Sequence, residues 1–292
     1  MDVPAYIAPA TLKDALRLKS EAGAHARVIA GGTDLILKMR DQALSPDLLI
    51  DLQNISLDTI ALETDHIAIG ASVTHSQLLA SPDINSLYPA LIEACREFAG
   101  PPIRNRGTIG GNIVNASPAA DLVPSLVAYD AHIQLASSSD VREVALAEFF
   151  VGPGQTIMAP NEILTEIRLA IMPPASATTF IKLGQRRSMA ISMVSVATRL
   201  TIDDEGSFSD VRIVLGSVAP TPVRARAAEE LLTGVAPSKE LLERAAVKAG
   251  AEVTPISDVR ASDSYRNNMV EVLVQRALRA NLEELRLRLP SD

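Results

Sequence analysis

Two glycine pairs are the residues in this 292-residue chain whose type and spacing best suit chemistry. The first is Ala30-Gly31-Gly32-Thr33-Asp34, after the apolar run ARVIA and before LILKM. The second is Thr108-Ile109-Gly110-Gly111-Asn112, inside NRGTIGGNIVNASPAADLVPSL. Paired glycines let backbone N–H groups approach a ligand and converge on it, forming a concave nest for an anion. Thr108, Asn112, Asn115 and Ser117 add short donors and acceptors beside the second pair. Two such loops suit the two halves of a pyrophosphate, although an isolated Gly-Gly reads first as a plain strand-to-helix turn. Neither matches the Gly-x-Gly-x-x-Gly fingerprint, so a doubly wound NAD fold is not indicated.

Other chemistries lack the residues they need. His25, His66, His75 and His132 are scattered without metal-ligand spacing, and structural or surface roles are expected for them. Cys95 is the single cysteine, so the chain makes no internal disulfide and cannot ligate an iron–sulfur cluster, which needs about four thiolates. In ALIEACREFAG it reads as a small buried apolar residue. No Gly-x-Ser-x-Gly elbow and no Gly-Lys-Ser/Thr phosphate loop occurs. A net charge of −8 argues against a nucleic-acid partner. MDVPAYIAP has neither the positive charge nor the apolar run of a secretory signal, and no stretch approaches the roughly 18 apolar residues of a membrane span, so a soluble, cytoplasmic protein is expected. With no Trp, five Phe and four Tyr, a planar cofactor would be gripped mainly by backbone and aliphatic groups.

The elements that must position these residues follow from periodicity. Helices are expected over 11–22, 86–98, 121–129, 223–232, 239–248 and 264–287, the second closed by Gly100-Pro101-Pro102. Strands are expected over 26–30, 47–52, 66–70, 132–136, 141–146 and 162–169, then 179–184, 191–202 and 208–218, the last two joined as a hairpin through Asp203-Asp204-Glu205-Gly206. Met172-Pro173-Pro174-Ala175-Ser176-Ala177 reads as a linker, placing a domain boundary near 175: residues 1–175, then 176–292. The last helix stacks Met269, Leu273 and Ala277 beside Val270, Val274 and Leu278, an apolar face for the sheet or for another subunit.

AGGTDL and TIGGNIVNASPAADLVP resemble the paired FAD-binding motifs of the carbon monoxide dehydrogenase medium subunit and the xanthine dehydrogenase flavin domain. The likeness continues through FFVGPG, NEILTEIRL, FIKLGQRRSMAIS and DVRASDSYRNNMVEVLVQRAL, covering nearly the whole chain. It implies an α+β fold: a two-subdomain FAD-binding module of the vanillyl-alcohol-oxidase (PCMH) type, holding FAD between its subdomains, followed by an α+β carboxy-terminal domain. By the same resemblance Ala30, Gly31, Gly32, Thr33 and Asp34 hold the pyrophosphate, and Thr108, Ile109, Gly110, Gly111 and Asn112 form the second binding loop. Asp121 matches a carboxylate that binds the sugar portion of the cofactor. Phe98 and Val114 match residues against the flavin ring, and Lys182 a lysine near its polar edge, where a fixed cation would stabilise charge gained on reduction. Read without the family, Lys182 is a surface lysine on an edge strand, Phe98 a core residue and Arg186–Arg187 a solvated pair or docking charge. Ala190 stands where the family often has an acidic residue.

The resemblance further implies a relay. A large molybdopterin subunit carrying the molybdenum cofactor hydroxylates the substrate, 2Fe-2S clusters on a small iron–sulfur subunit pass electrons on, and FAD on this chain delivers them to an external acceptor. Two rivals stand beside it: a stand-alone flavin oxidase, and a structural subunit whose flavin site has decayed.

Overall fold

The structure, a computed structural model, describes residues 3–186 and 189–288, the last three without their side chains. Arg187 and Ser188 of the RRSMAIS segment lie outside the described residues, as do Met1 and Asp2. The fold is α+β, and its two compact units do not follow chain order. One comprises Met1–Ser81, Gly100–Ala116 and Ala131–Ala170; the other comprises Pro82–Ala99, Ser117–Asp130 and Ile171–Asp292.

The first unit holds two principal sheets. Strand Leu48–Asp51 lies between Ala5–Ile7 and Ala26–Ile29, parallel to both. Helix Leu12–Ala22 covers this sheet, contributing Ala15 and Leu16 to a core with Ala26, Ile50 and Leu52. Thr11 caps the helix by accepting the Asp14 N–H. Lys19, on the apolar stripe, is buried and donates to the carbonyls of Gly23 and Ala26, and burial pushes its pKa down to about 8. The second sheet is antiparallel, in the order Ile60–Leu62, His66–Gly70, Ile163–Ala170, His132–Ala136, Val141–Ala145.

The second unit is built on an antiparallel sheet ordered Ser176–Gly184, Ser192–Ile202, Phe208–Gly216, Val223–Arg224. One face carries Val194, Val196 and Leu200 into a core with helices Lys239–Gly250 and Asp263–Arg288. Val270, Leu273, Val274, Ala277 and Leu278 all belong to that core, so the apolar face of the last helix is spent on the sheet. The opposite face packs on helices Pro89–Glu97 and Leu122–Ala128.

Four local expectations change. The helix expected over 86–98 is two helices, Pro82–Leu87 and Pro89–Glu97, because Pro89 has no N–H to donate and keeps Tyr88 out of the helical region. Gly100-Pro101-Pro102 ends one helix and also starts the next, Pro101–Arg104, since proline suits a first helical turn. Ser176 and Ala177 leave the linker and open the strand Ser176–Gly184. Val223–Arg224 pairs with Leu215 and Val214 as a short strand, and the helix begins at Arg226.

Tyr129 ties the second unit's sheet to its helix layer. It is 1% exposed, its hydroxyl accepts the Ala90 N–H at 3.1 Å and shares a 2.8 Å hydrogen bond with the Thr178 hydroxyl. Its ring meets Tyr88 edge-on at 5.1 Å. Tyr129→Phe keeps the ring contact and leaves the Ala90 N–H only its longer 3.4 Å bond to the Thr178 hydroxyl, so it should cost about 1–2 kcal/mol in chemical denaturation.

Candidate functional site

Within the first unit the fold packs the first glycine pair against the segment that leads into the second. A Cβ built on Gly31 would lie 1.9 Å from the Arg106 carbonyl oxygen, so only glycine permits this approach to the segment preceding Thr108. Gly110 is equally confined: its N–H donates to the Ala71 carbonyl at 3.0 Å, and a Cβ would fall 2.6 Å from that oxygen. The Ile109 N–H donates to the Val73 carbonyl at 2.9 Å, and Thr74 bridges Thr108, so the second motif is stitched to residues 71–74. Lys38, in helix Leu35–Arg40 after the first pair, donates to the Asn115 side-chain oxygen at 2.5 Å.

The second glycine of each pair has a different situation. Gly32 is half-buried with φ +71, a conformation that disfavours side chains. Gly111 is exposed. It lies within a helix, not in a loop as the sequence suggests: Ile109–Asn115 is helical, and Thr108 caps it by accepting the Gly111 N–H at 3.1 Å. Ala30 and Thr33 are half-buried and Asp34 is exposed beside Gly32, while Val114 is half-buried on the second motif's helix. Asn112 follows Gly111, and its side-chain oxygen is buried without a hydrogen-bond partner. A buried acceptor left open is costly unless something donates to it, so this oxygen fits a ligand with hydroxyl or N–H donors.

The second unit gathers Asp121, Lys182 and Ser192. The Lys182 side chain is 4% exposed and its Nζ donates to Asp121 at 2.6 Å and to the Glu97 carbonyl at 3.0 Å. The other Asp121 oxygen accepts from the Ser192 hydroxyl at 2.5 Å. Burial pushes the Asp121 carboxyl above its ordinary range, against the opposing pull of Lys182 and Ser192. Lys182 is on an edge strand, yet it is not a surface lysine. Phe98 is half-buried and ends the helix Pro89–Glu97, its N–H donating to the Ala94 carbonyl. A cavity of about 440 Å³ opens beside Lys182, lined by Glu97, Leu183, Gly184, Arg186 and Ala190. Ala190 packs against Gly184, where a Cβ would come within 2.6 Å of it.

Residues 2–170 match the family of the FAD binding domain in molybdopterin dehydrogenase, and residues 179–281 match the CO dehydrogenase flavoprotein C-terminal domain. The chain belongs to this FAD-binding molybdopterin dehydrogenase family. It is 33% identical to the carbon monoxide dehydrogenase medium chain of Hydrogenophaga pseudoflava, over 94% of this chain and 96% of that one. It is 31% identical to the xanthine dehydrogenase FAD-binding subunit of Escherichia coli O157:H7, over 95% of each chain. The solved carbon monoxide dehydrogenase of Hydrogenophaga pseudoflava that lacks the Mo-pyranopterin moiety superposes with a TM-score of 0.93 at 33% identity, covering 97% of this chain and 98% of that one. The protein is therefore a FAD-binding oxidoreductase subunit of the xanthine and carbon monoxide dehydrogenase family, with the family's α+β fold. Among the described residues no His, Cys, Asp and Glu cluster could hold a metal ion, and no helix is long and apolar enough to cross a membrane.

Sequence reading missed Ser192 as a partner of Asp121 and His75 as a support of the second motif. His75 is 1% exposed, and its Nδ1–H donates to the Gly107 carbonyl at 2.7 Å. Burial depresses its pKa to about 4. The folded state thus binds fewer protons than the unfolded state between about pH 4 and 6.5, so this contribution is complete above pH 6.5 and is lost as pH falls toward 4. Urea denaturation should show a loss of about 3 kcal/mol from this group across that window, and His75→Gln should flatten the profile relative to wild type.

The two glycines of each pair should also separate in stability measurements. Gly31→Ala and Gly110→Ala meet backbone that cannot yield, and should each cost about 3 kcal/mol in thermal or urea denaturation. Gly111→Ala meets only the Thr108 hydroxyl, which can rotate, and should cost about 1 kcal/mol.

Proposed function

We propose that this chain is the electron-delivering subunit of a molybdenum hydroxylase, taking electrons from 2Fe-2S clusters on a small partner and passing them to an external acceptor, while a large molybdopterin partner hydroxylates the substrate. The observation that carries this reading is the packing of the glycine pairs: Gly31 sets the first motif against Arg106 and Gly110 sets the second against Ala71, leaving Gly32, Gly111 and the open Asn112 oxygen to meet a ligand. We assign the pyrophosphate of FAD to Ala30, Gly31, Gly32, Thr33 and Asp34, and Thr108, Ile109, Gly110, Gly111 and Asn112 to the second binding loop, where the Asn112 oxygen would accept from a hydroxyl or N–H of the cofactor. Asp121 is assigned to the sugar portion, Phe98 and Val114 to the flavin ring, and Lys182 to its polar edge. Bound FAD supplies a carrier that accepts electrons singly and releases them in pairs. The chain's own residues bind and orient it and set the field around it. The linear division at residue 175 and a cytoplasmic location belong to the same proposal.

A single cysteine cannot hold the iron–sulfur clusters, so they are assigned to a partner. Co-purification from the native source with metal analysis should find molybdenum and iron with the chain, and native mass spectrometry should find a small and a large partner, duplicated by two-fold symmetry. A chain that purifies alone and turns over organic substrates unaided would replace the relay with a stand-alone oxidase.

Gly111→Val should lower FAD content while the fold persists, measured by flavin absorbance per chain beside circular dichroism. Lys182→Met removes the cation and leaves Asp121 buried without its partner. The flavin midpoint potential should fall by roughly 30 mV, which for two electrons corresponds to about a tenfold change in equilibrium. Adding Asp121→Asn should recover part of that fall, because the uncompensated negative charge goes with it.

A further inference from the structure

The strand Ser192–Ile202 has an irregularity beside the Lys182–Asp121 pair. Across the hairpin Lys182 stands opposite Ser195 and Leu183 opposite Val194, but Gly184 pairs with Ser192. Met193 is therefore an extra residue, a β-bulge. In unbroken pairing side chains alternate, and Ser192 would share a face with Val194 and Val196, which enter the apolar core with Val270 and Val274. The bulge turns Ser192 to the face of Gly184 and Lys182, where its hydroxyl reaches Asp121.

A bulge leaves backbone groups outside the ladder, and here Arg266 takes one up. Its Nη1 donates to the Met193 carbonyl at 2.6 Å and to the Ser217 carbonyl at 3.1 Å, and its Nη2 donates to Asp258 at 2.8 Å. Ser217 in turn donates its N–H to the Pro118 carbonyl at 2.9 Å, three residues before Asp121. One guanidinium thus holds the residue next to Ser192 and the turn that anchors the approach to Asp121. Asp258 is itself fixed by the N–H groups of Arg260 and Ala261 and by the Arg260 guanidinium. Arg266 is 3% exposed, and a buried guanidinium is costly where an aliphatic side chain would fill the same space, so filling the core does not account for it.

We propose that Arg266, held by Asp258, is a positioning residue for the cofactor site: it secures the Met193 bulge so that Ser192 faces Asp121, and through Asp121 it places Lys182. The proposal rests on the reading that Asp121 and Lys182 face FAD.

The test uses the full chain with FAD as the probe, measuring its dissociation constant by fluorescence and its midpoint potential by dye-equilibrated titration. Arg266→Lys keeps the charge but cannot span Met193 and Asp258 together. It should weaken FAD binding about tenfold and shift the potential with the same sign as Ser192→Ala. The double variant should move no further than the larger single one, as expected for two residues on one path. Asp258→Asn loosens the guanidinium without altering Arg266 and should reproduce the shift. If Asp258→Asn binds FAD with wild-type affinity and potential, the proposal is overturned, even where the arginine variant does not fold. It is likewise overturned if Arg266→Lys lowers only the melting temperature while Lys182→Met shifts the potential. If Lys182→Met also leaves the potential unchanged, the flavin-facing reading fails and takes this proposal with it.

Discussion

Asp121 is a carboxylate with almost no access to water, and both of its oxygens are taken up, one by the Lys182 ammonium and the other by the Ser192 hydroxyl. Burying a charge is unfavourable unless it is paired and hydrogen-bonded, so the surrounding chain must deliver these two groups to one point. The edge strand delivers Lys182, and the bulged strand beside it delivers Ser192. Because burial keeps the Asp121 pKa raised in the fold, the ionised carboxylate is a net cost to stability as pH rises through the carboxylate range. A costly ion pair beside a cavity is what a preorganised binding site looks like, whereas stability alone would favour an apolar replacement.

On the proposed reading the first unit solves a different problem, bringing backbone close to the cofactor without collapsing on it. Gly31 and Gly110 are consumed by packing against the Arg106 and Ala71 carbonyls. Only then do Gly32 and Gly111 stand free of that packing. On that reading each motif uses its two glycines differently: one lets chain segments meet, and the other is left for the cofactor. His75 adds a hydrogen bond to Gly107, immediately before the second motif, and Lys38 joins the two motif helices through Asn115.

The electrostatics bear on how such a subunit tunes a cofactor. Lys182 is not an isolated cation, because Asp121 offsets its charge at 2.6 Å. A paired lysine exerts a weaker field than a free one and a more directional field, so the potential of a nearby redox group depends on the geometry of the pair as well as on the charge count. Small displacements of Asp121 then matter, which gives a physical use to the hydrogen bonds that hold it.

The sequence by itself determined the two glycine motifs, the exclusion of clusters and hydrolase machinery, the order of most helices and strands, and the family. These are local or compositional: paired glycines, one cysteine and apolar periodicity can all be read within a few turns of chain. Tertiary structure decided what local pattern cannot carry. Periodicity puts Ser192 on the core face with Val194, and only the unpaired Met193 turns it toward Asp121, because a bulge is defined by the partner strand's register. An edge-strand position suggests a solvated Lys182, yet Asp121, 61 residues earlier, buries it. Gly31 reads as a flexible turn until Arg106 is seen against it, since contact between segments far apart in sequence leaves no trace in either one.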